Sequence, residues 1–128
     1  MFTYNQYNEQ ETETTAGLVA SVLTLRRDGV GRPAGYCLDY AGAPVLQTAW
    51  AYDASGRLSS VSLNAVGKPF TYGYNEENGL LDTLDYPNTL KRWRTLEEKR
   101  DLPVKIDYLR PGSANYPAKT DYSYDILG

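Results

Sequence analysis

Two stretches of the chain repeat one five-residue pattern: Asp28-Gly29-Val30-Gly31-Arg32 and Asp53-Ala54-Ser55-Gly56-Arg57. Both read Asp-x-x-Gly-Arg, and they stand 25 residues apart. Fourteen residues after each aspartate comes a Gly-x-Pro sequence, at Gly42-Ala43-Pro44 and Gly67-Lys68-Pro69. Agreement at five positions in a single register indicates an internal repeat.

The pattern returns twice more along the chain. One further unit is Tyr74-Asn75-Glu76-Glu77-Asn78-Gly79, where Asn replaces Asp and the glycine comes one place later; another is Tyr124-Asp125-Ile126-Leu127-Gly128. The 50 residues between Asn75 and Asp125 leave room for one more unit, and Arg100-Asp101-Leu102-Pro103 is the degraded candidate there. We call the Asp or Asn that begins each unit its anchor. A tyrosine directly precedes three of the four clear anchors: Tyr52, Tyr74 and Tyr124.

Each unit has the chemistry of a β-hairpin turn. An Asp or Asn side chain opens a turn by accepting hydrogen bonds from the backbone amides ahead of it. A glycine then takes the left-handed conformation that closes a type I turn with a bulge. The exposed Asp and Arg of one turn are expected to pair weakly. The sequence therefore predicts structural turns at Asp28, Gly31, Arg32, Asp53, Gly56, Arg57, Asn75, Gly79 and Asp125.

The stretches between the turns alternate apolar and polar residues, as in Phe70, Tyr72 and Tyr74, which is typical of strands. We expect an all-β fold, a twisted or curled antiparallel meander of about nine to ten strands. The predicted strands are 18–27, 33–40, 45–53, 57–64, 68–75, 80–86, 91–97, 102–109 and 117–125, with 2–7 as an additional one. Residues 1–17 form an N-terminal segment that can add an edge strand, and 18–128 form the repeat domain. Helix formers over 89–100 leave a helix open as the alternative there.

Composition excludes several function classes. The chain has no histidine, which removes Ser-His-Asp triads and imidazole metal ligands. Its single cysteine, Cys37, cannot form an intrachain disulfide and is expected to be a small buried hydrophobe. A net charge of −3 argues against nucleic acid as a partner, despite the basic run Lys91-Arg92-Trp93-Arg94. We predict no cofactor and no metal site; Glu76, Glu77 and Asn78 lack the spacing of a calcium loop and are interpreted as an acidic tip.

No apolar run in the sequence is long enough for a membrane span, and the first residues have neither a basic region nor a hydrophobic signal core. The sequence therefore predicts no membrane span and no export signal in the chain as written. It leaves the cellular location undetermined.

The repeated units resemble the YD repeats of RHS and teneurin-like proteins, through residues 28–32, 52–58, 74–79 and 124–128. The resemblance covers nearly the whole chain after about residue 18. It implies strands that spiral into a hollow shell, which in this family often encapsulates a toxin or presents an adhesive surface, while enzymatic work sits in other domains. It also implies a secreted or cell-surface location for a longer parent protein.

The chain departs from this family in having four or five units, too few to close a shell, and in ending inside a motif. We therefore expect it to be part of, or derived from, a larger RHS-type protein. An open meander has two unpaired edges, which recruit other strands. The predicted partners are a second copy of the chain or flanking repeats of the parent protein, together with a glycan or protein ligand.

The aromatic residues have two interpretations. Rings in register across neighbouring strands stabilise a sheet. A solvent-facing strip of rings would also bind sugar rings by stacking. The predicted function is therefore a non-catalytic structural or adhesive module, in which the candidate ligand-binding residues are Trp50, Tyr52, Tyr72, Tyr74 and Trp93.

The alternative function is a small hydrolase that uses aspartates. Without histidine, the simplest device is a carboxylate pair that shares one proton. Leu80-Leu81-Asp82-Thr83-Leu84 weakly resembles the loop of aspartic peptidases, with Leu84 in place of its glycine, and Asp53-Ala54-Ser55-Gly56 is a looser match. Asp82 and Asp53 are the catalytic candidates of this alternative only, and mucin or casein are substrates that would test it.

Overall fold

The computed structural model describes residues 1–17, 20–112 and 118–125. These residues form an all-β fold in which every assigned strand pair is antiparallel and joins two strands that follow one another in the sequence, so the predicted antiparallel meander is confirmed. No helix in them could span a membrane. The strands are β1 Phe2–Tyr4, β2 Gln10–Thr15, β3 Ser21–Arg27, β4 Pro33–Tyr40, β5 Ala43–Tyr52, β6 Leu58–Leu63, β7 Phe70–Tyr74, β8 Leu81–Asp85, β9 Lys91–Leu96, β10 Pro103–Leu109 and β11 Ala118–Asp121.

The chain divides into two compact units. The first unit, Met1–Pro69, contains β1 to β6, and the second unit, Phe70–Gly128, contains β7 to β11. Residues 1–17 carry β1 and β2, which pair with each other and join the first unit through β3. Whether 1–17 and 18–128 behave as separate segments stays a prediction.

Two details of the strand pattern differ from the expectation. Gln10–Thr15 is an additional strand, because its threonines are β-branched and both of its neighbours offer a ladder, although the segment lacks an apolar alternation. Lys91–Leu96 is a strand paired on both sides, so the helix alternative over 89–100 is wrong. Pairing with neighbouring strands outweighs the local helix propensity there.

In the first unit, the strand registers separate an apolar face from a polar one. Leu25 lies opposite Tyr36, and Trp50 lies opposite Val61 on the same side of the alternation. The other side carries mainly Ser, Thr and Ala side chains. The large side chains of the apolar face, such as Leu25 and Trp50, are half-buried, because a face of a single sheet stays in contact with solvent unless another element covers it.

The second unit has the same two-sided character. One rung of its first face consists of Tyr72, Leu84, Arg92 and Tyr108, each opposite the next across β7 to β10. The residues between them, such as Trp93, point to the opposite face. That opposite face carries three lysine–aspartate ion pairs, Lys91–Asp85, Lys105–Asp107 and Lys119–Asp121.

Burial within the described residues is shallow. Besides Gly35, the described residues under 9% exposed are Cys37, Thr48 and Asp107, at 7%, 5% and 6%. No large side chain among the described residues is below 2% exposed. Cross-strand pairing therefore contributes a large part of the order in these sheets, since little apolar surface is fully removed from water.

Candidate functional site

The hairpin tips hold the residues of the repeated motif, and Asp53 organises the best-formed one. Its Oδ1 accepts hydrogen bonds from the backbone N–H of Ser55 at 2.9 Å and of Arg57 at 2.8 Å. Its Oδ2 accepts the Nε–H of Arg57 at 2.8 Å. Gly56 closes the turn at φ 78°, and its N–H donates to the Asp53 carbonyl at 2.9 Å. Both carboxylate oxygens are therefore engaged within the turn.

Asp28 makes the same contacts in its own tip. Oδ1 accepts from the N–H of Val30 at 3.0 Å and of Arg32 at 2.9 Å, and Oδ2 accepts the Arg32 Nε–H at 2.7 Å. Gly31 has φ 85°. The two Asp-x-x-Gly-Arg tips are thus copies of one hydrogen-bonding device.

These contacts lower the pKa of both carboxyl groups below the ordinary value of 3.8. For Asp53, the backbone N–H of Arg57 has the largest effect on the pKa, and the Arg57 side chain adds to it against an opposing desolvation. For Asp28, desolvation raises the pKa, but the hydrogen bonds from Arg32 and Val30 together outweigh it. A general acid needs the opposite, a raised pKa.

The tip opened by Asn75 is one residue longer. The Asn75 Oδ1 accepts from the N–H of Glu77 at 2.8 Å and of Asn78 at 3.1 Å. Gly79, at φ 70°, donates its N–H to the Asn75 carbonyl at 2.9 Å. The neutral amide performs the turn role of the aspartate, and the acids of this tip are left outside that network.

The degraded unit opens at Glu97, three residues before the predicted place. The N–H of Glu97 donates to the Leu102 carbonyl at 2.8 Å, and the N–H of Asp101 donates to the Glu97 carbonyl at 3.2 Å. Asp101 stands in the glycine position with φ 54°. The interpretation of Arg100 and Asp101 as the start of this turn is therefore wrong. Glu97 stands 22 residues after Asn75, the same step as from Asp53 to Asn75.

A further tip that the sequence analysis missed begins at Asn5. Its Oδ1 accepts from the N–H of Tyr7 at 2.9 Å and of Glu9 at 3.0 Å, as the aspartates do in their tips. Asn8 takes the glycine position with φ 61°, a conformation that asparagine tolerates better than most residues. Allowing Asn at both special positions would have revealed Tyr4-Asn5-Gln6-Tyr7-Asn8-Glu9 as a repeat.

The tyrosine before an anchor ties its tip to the preceding one. The Tyr52 hydroxyl donates to the Pro33 carbonyl at 2.5 Å, and Pro33 directly follows Arg32. The Arg32 guanidinium also lies over the Tyr52 ring, 4.3 Å from its centroid. The Tyr124 hydroxyl repeats the first contact with the Pro103 carbonyl at 2.8 Å. We call this contact the tyrosine clasp.

Asp125, the last predicted turn residue, accepts a hydrogen bond on its carbonyl from Arg100 at 3.2 Å. The turn expected beyond it falls on residues 126–128, which lie outside the described residues.

The catalytic candidates of the hydrolase alternative lie in different compact units. Asp53 belongs to its tip in the first unit. Asp82 lies on β8 in the second unit and lines an open groove of about 500 Å³ with Glu97, Glu98, Asp101 and other tip residues. Across this groove the Asn78 side chain donates to the Asp101 carboxylate at 2.8 Å. No carboxylate trio suited to a metal is found in the described part of the chain.

The five aromatic candidates do not share one surface. Tyr52 is occupied by the clasp and by Arg32. Trp50 lies on the apolar face of the first unit, opposite Val61. In the second unit, Tyr72 and Trp93 lie on opposite sides of the alternation. Tyr74 pairs with Leu81 beside a register shift. Their role as a ligand-binding set stays a prediction.

The comparisons with known proteins agree with this architecture at the level of fold. No family model matches the chain, and no curated protein matches it significantly. The chain is similar to a chain in the solved structure described as "Crystal Structure of TcdB2-TccC3-Cdc42", with a TM-score of 0.78 and 14% identity. The match covers 98% of this chain and 7% of that chain, so the present chain spans a small part of its length. The fold is RHS-like.

Proposed function

We propose that the chain is a non-catalytic β-sheet module of an RHS-type protein, whose edges pair with further β-strands. The observation that carries this proposal is that the repeated motif residues hold the hairpin turns together. Six anchors, at residues 5, 28, 53, 75, 97 and 125, recur along the chain, and the side chains of Asn5, Asp28, Asp53 and Asn75 are spent on backbone amides of their own tips. The likeness to a chain many times longer supports a parent protein with more repeats.

The first edge supports strand pairing most strongly. β1 has a described partner on one side, β2, and its residues Phe2 and Tyr4 are 52% and 56% exposed. It carries no charged side chain, which is the usual protection of an edge against pairing. β11 is different, because its Lys119 and Asp121 form an exposed ion pair at 3.0 Å.

Light scattering over a concentration series tests the proposal. The chain is expected to associate with rising concentration, and the Phe2→Lys and Tyr4→Lys double variant is expected to reduce that association by placing charge on the edge. Tyr7→Lys with Val30→Lys is the matched control, since both residues are highly exposed, at 74% and 75%, and lie at hairpin tips. A strict monomer at high concentration, or equal loss in the control, would contradict edge pairing through β1.

An adhesive role for the module is the finer part of the proposal. Trp50, Tyr72 and Trp93 are half-buried rings with part of their surface available, whereas Tyr52 is already covered by Arg32. A glycan array run with folded protein checks this role. Retention that is weakened by Trp50→Ala or Trp93→Ala supports it, and no retention of any glycan contradicts it.

The acidic groove at Asp82 favours a second candidate function, a carboxylate-dependent hydrolase. Asp82 shares the groove with Glu97, Glu98 and Asp101, and paired carboxylates are the device such an enzyme requires. Turnover of casein or mucin that is lost in Asp82→Asn would support this candidate. Absence of turnover in the unaltered chain, or the same turnover in the variant, would eliminate it.

A further inference from the structure

The two faces of the second unit differ in whether their cationic side chains have carboxylate partners. On the face that contains Trp93, each strand lysine has a carboxylate partner: Lys91 with Asp85 at 2.8 Å, Lys105 with Asp107 at 2.6 Å and Lys119 with Asp121 at 3.0 Å. On the other face lie Arg92 and Arg94, which form no ion pair or hydrogen bond among the described residues. At the described strand positions of this unit, the cations without a carboxylate partner are therefore confined to one face.

Arg92 has apolar neighbours, since it lies between Leu84 and Tyr108 on the adjoining strands. Arg94 lies opposite Ile106 and also lines the groove that contains Asp82. Both side chains are half-buried, and the Nε of each is shielded from solvent without an acceptor. A buried donor without an acceptor is unfavourable, so a carboxylate that bound the guanidinium group, with a shift of the side chain that exposed Nε, would satisfy it.

An apolar depression adjoins Arg92. It measures about 300 Å³ and is lined by Leu90, Tyr108, Arg110 and Ala118. Leu90 stands two residues before Arg92 on the chain, and Tyr108 is the cross-strand neighbour of Arg92. An apolar contact and a cationic contact are therefore available side by side.

We propose that Arg92 and Arg94 are the recognition residues of a docking surface for an extended acidic polypeptide segment. The two arginines are two positions apart on one strand, so their side chains repeat at roughly 6.6 Å. An extended segment with carboxylates at alternate positions has the same spacing, and guanidinium groups bind carboxylates in a planar, bidentate geometry. An apolar residue at the next alternate position of the segment, on the same side as the carboxylates, occupies the depression beside Arg92.

The acidic groove gives this surface a direction. Among the described strand positions of this face, Asp82 is the one acidic residue. It lies beside Arg94, at the end of the surface where the groove also contains Glu97 and Glu98. A negatively charged segment is repelled at that end, so it extends from Arg94 past Arg92 toward Arg110. This surface is separate from the β1 edge, and its existence does not depend on edge pairing.

Titration with a synthetic peptide tests the proposal on the intact chain. The probe is acetyl-Glu-Ser-Glu-Ser-Leu-Ser-amide, which presents two carboxylates and one apolar side chain on one side, and acetyl-Gln-Ser-Gln-Ser-Leu-Ser-amide is the uncharged control peptide. NMR of the arginine side chains reports directly, because binding is expected to shift the Nε–H signals of Arg92 and Arg94. Unchanged signals at millimolar probe, or equal shifts with the uncharged peptide, would overturn the proposal.

A variant pair completes the test. Arg92→Gln with Arg94→Gln is expected to weaken binding of the acidic peptide by about tenfold or more, because two charge-assisted contacts are lost. Lys68→Gln with Lys99→Gln removes the same charge from exposed positions and is expected to bind normally. Equal weakening in both pairs would show a mere net-charge effect and overturn the proposal. If the arginine variant does not fold, the NMR titration of the unaltered chain decides alone.

Discussion

The two Asp-anchored hairpin tips of the first unit and the longer tips of the second unit achieve the same turn by different means. In the first unit, the carboxylates of Asp28 and Asp53 each hold two backbone amides and their own arginine. In the second unit, the longer tips at Asn75 and Glu97 lack the full set: Asn75 holds two backbone amides without an arginine, and the Glu97 carboxylate accepts the Arg100 Nε–H at 3.0 Å. They are joined instead by the hydrogen bond from Asn78 to Asp101.

The difference shows what the consensus residues contribute. A five-residue tip with Asp, Gly and Arg is locally complete and needs no neighbour. A six-residue tip leaves acidic side chains available for contacts elsewhere, which is how the groove at Asp82 acquires its charge. Loss of the consensus therefore changes the surface of the repeat while its turn is kept.

Removing the carboxylate should separate the two kinds of tip most clearly. Asp53→Ala leaves two backbone N–H groups and Arg57 without their acceptor, and we expect the melting temperature to fall by several degrees. Asn75→Ala, the matched change, removes two amide contacts and no ion pair, so its fall should be smaller. Thermal melts followed by circular dichroism compare them. Equal losses would mean that the arginine contributes nothing to the tip.

The tyrosine clasp should have the next largest effect. Tyr52→Phe keeps the ring under Arg32 and removes the hydroxyl bond to the Pro33 carbonyl, at an expected cost of about 0.5–1.5 kcal/mol. Tyr124→Phe removes the equivalent bond to Pro103 in the second unit. Urea denaturation measures both. No change in either variant would show that the clasp follows from the fold without stabilising it.

Acid should act on the first unit's tips selectively. Because the pKa of Asp28 and Asp53 is lower in the folded chain than the ordinary 3.8, their contribution to stability is present above 3.8 and is lost as pH falls through the lowered folded value. Asp53→Asn should flatten this part of the pH dependence. NMR titration of the side-chain carboxyl carbons gives the pKa directly, and a value at or above 3.8 for Asp53 would contradict the account.

The contact between the second unit's tips should matter least. Asn78→Ala removes the exposed hydrogen bond to Asp101, and we expect a change in unfolding free energy of about 0.5 kcal/mol or less. Asn78→Asp places a carboxylate beside that of Asp101 and should be slightly worse. Denaturant melts of the two variants check this order. A loss as large as that of Asp53→Ala would show that the longer tips depend on each other.

The sequence was sufficient for the fold class because alternation and turn chemistry are local properties. Asp53 with Gly56 predicts a hairpin without knowledge of its surroundings. The strand at Lys91–Leu96 was ambiguous, since its residues suit a helix and only pairing with β8 and β10 decides between the two.

The tips at Asn5 and Glu97 show which turns a search for the local sequence motif does not find. Asn5 and Asn8 replace Asp and Gly by residues that can fill the same positions, so a stricter motif passes over them. Glu97 opens its turn through its backbone and pairs with Arg100 three residues on, so this tip lacks the Asp-x-x-Gly-Arg pattern. The unpaired arginines could not be recognised at all, because their isolation depends on which face each residue takes and on what lies across the strands.

The central claim is the register of the repeat, and backbone NOEs across β9 test it most directly. The account predicts cross-strand NOEs from Trp93 to Thr83 on one side and to Asp107 on the other, with the tip between β9 and β10 opening at Glu97. Helical sequential NOEs over 89–100, or strand pairing shifted by three residues so that the turn opens at Arg100, would contradict it.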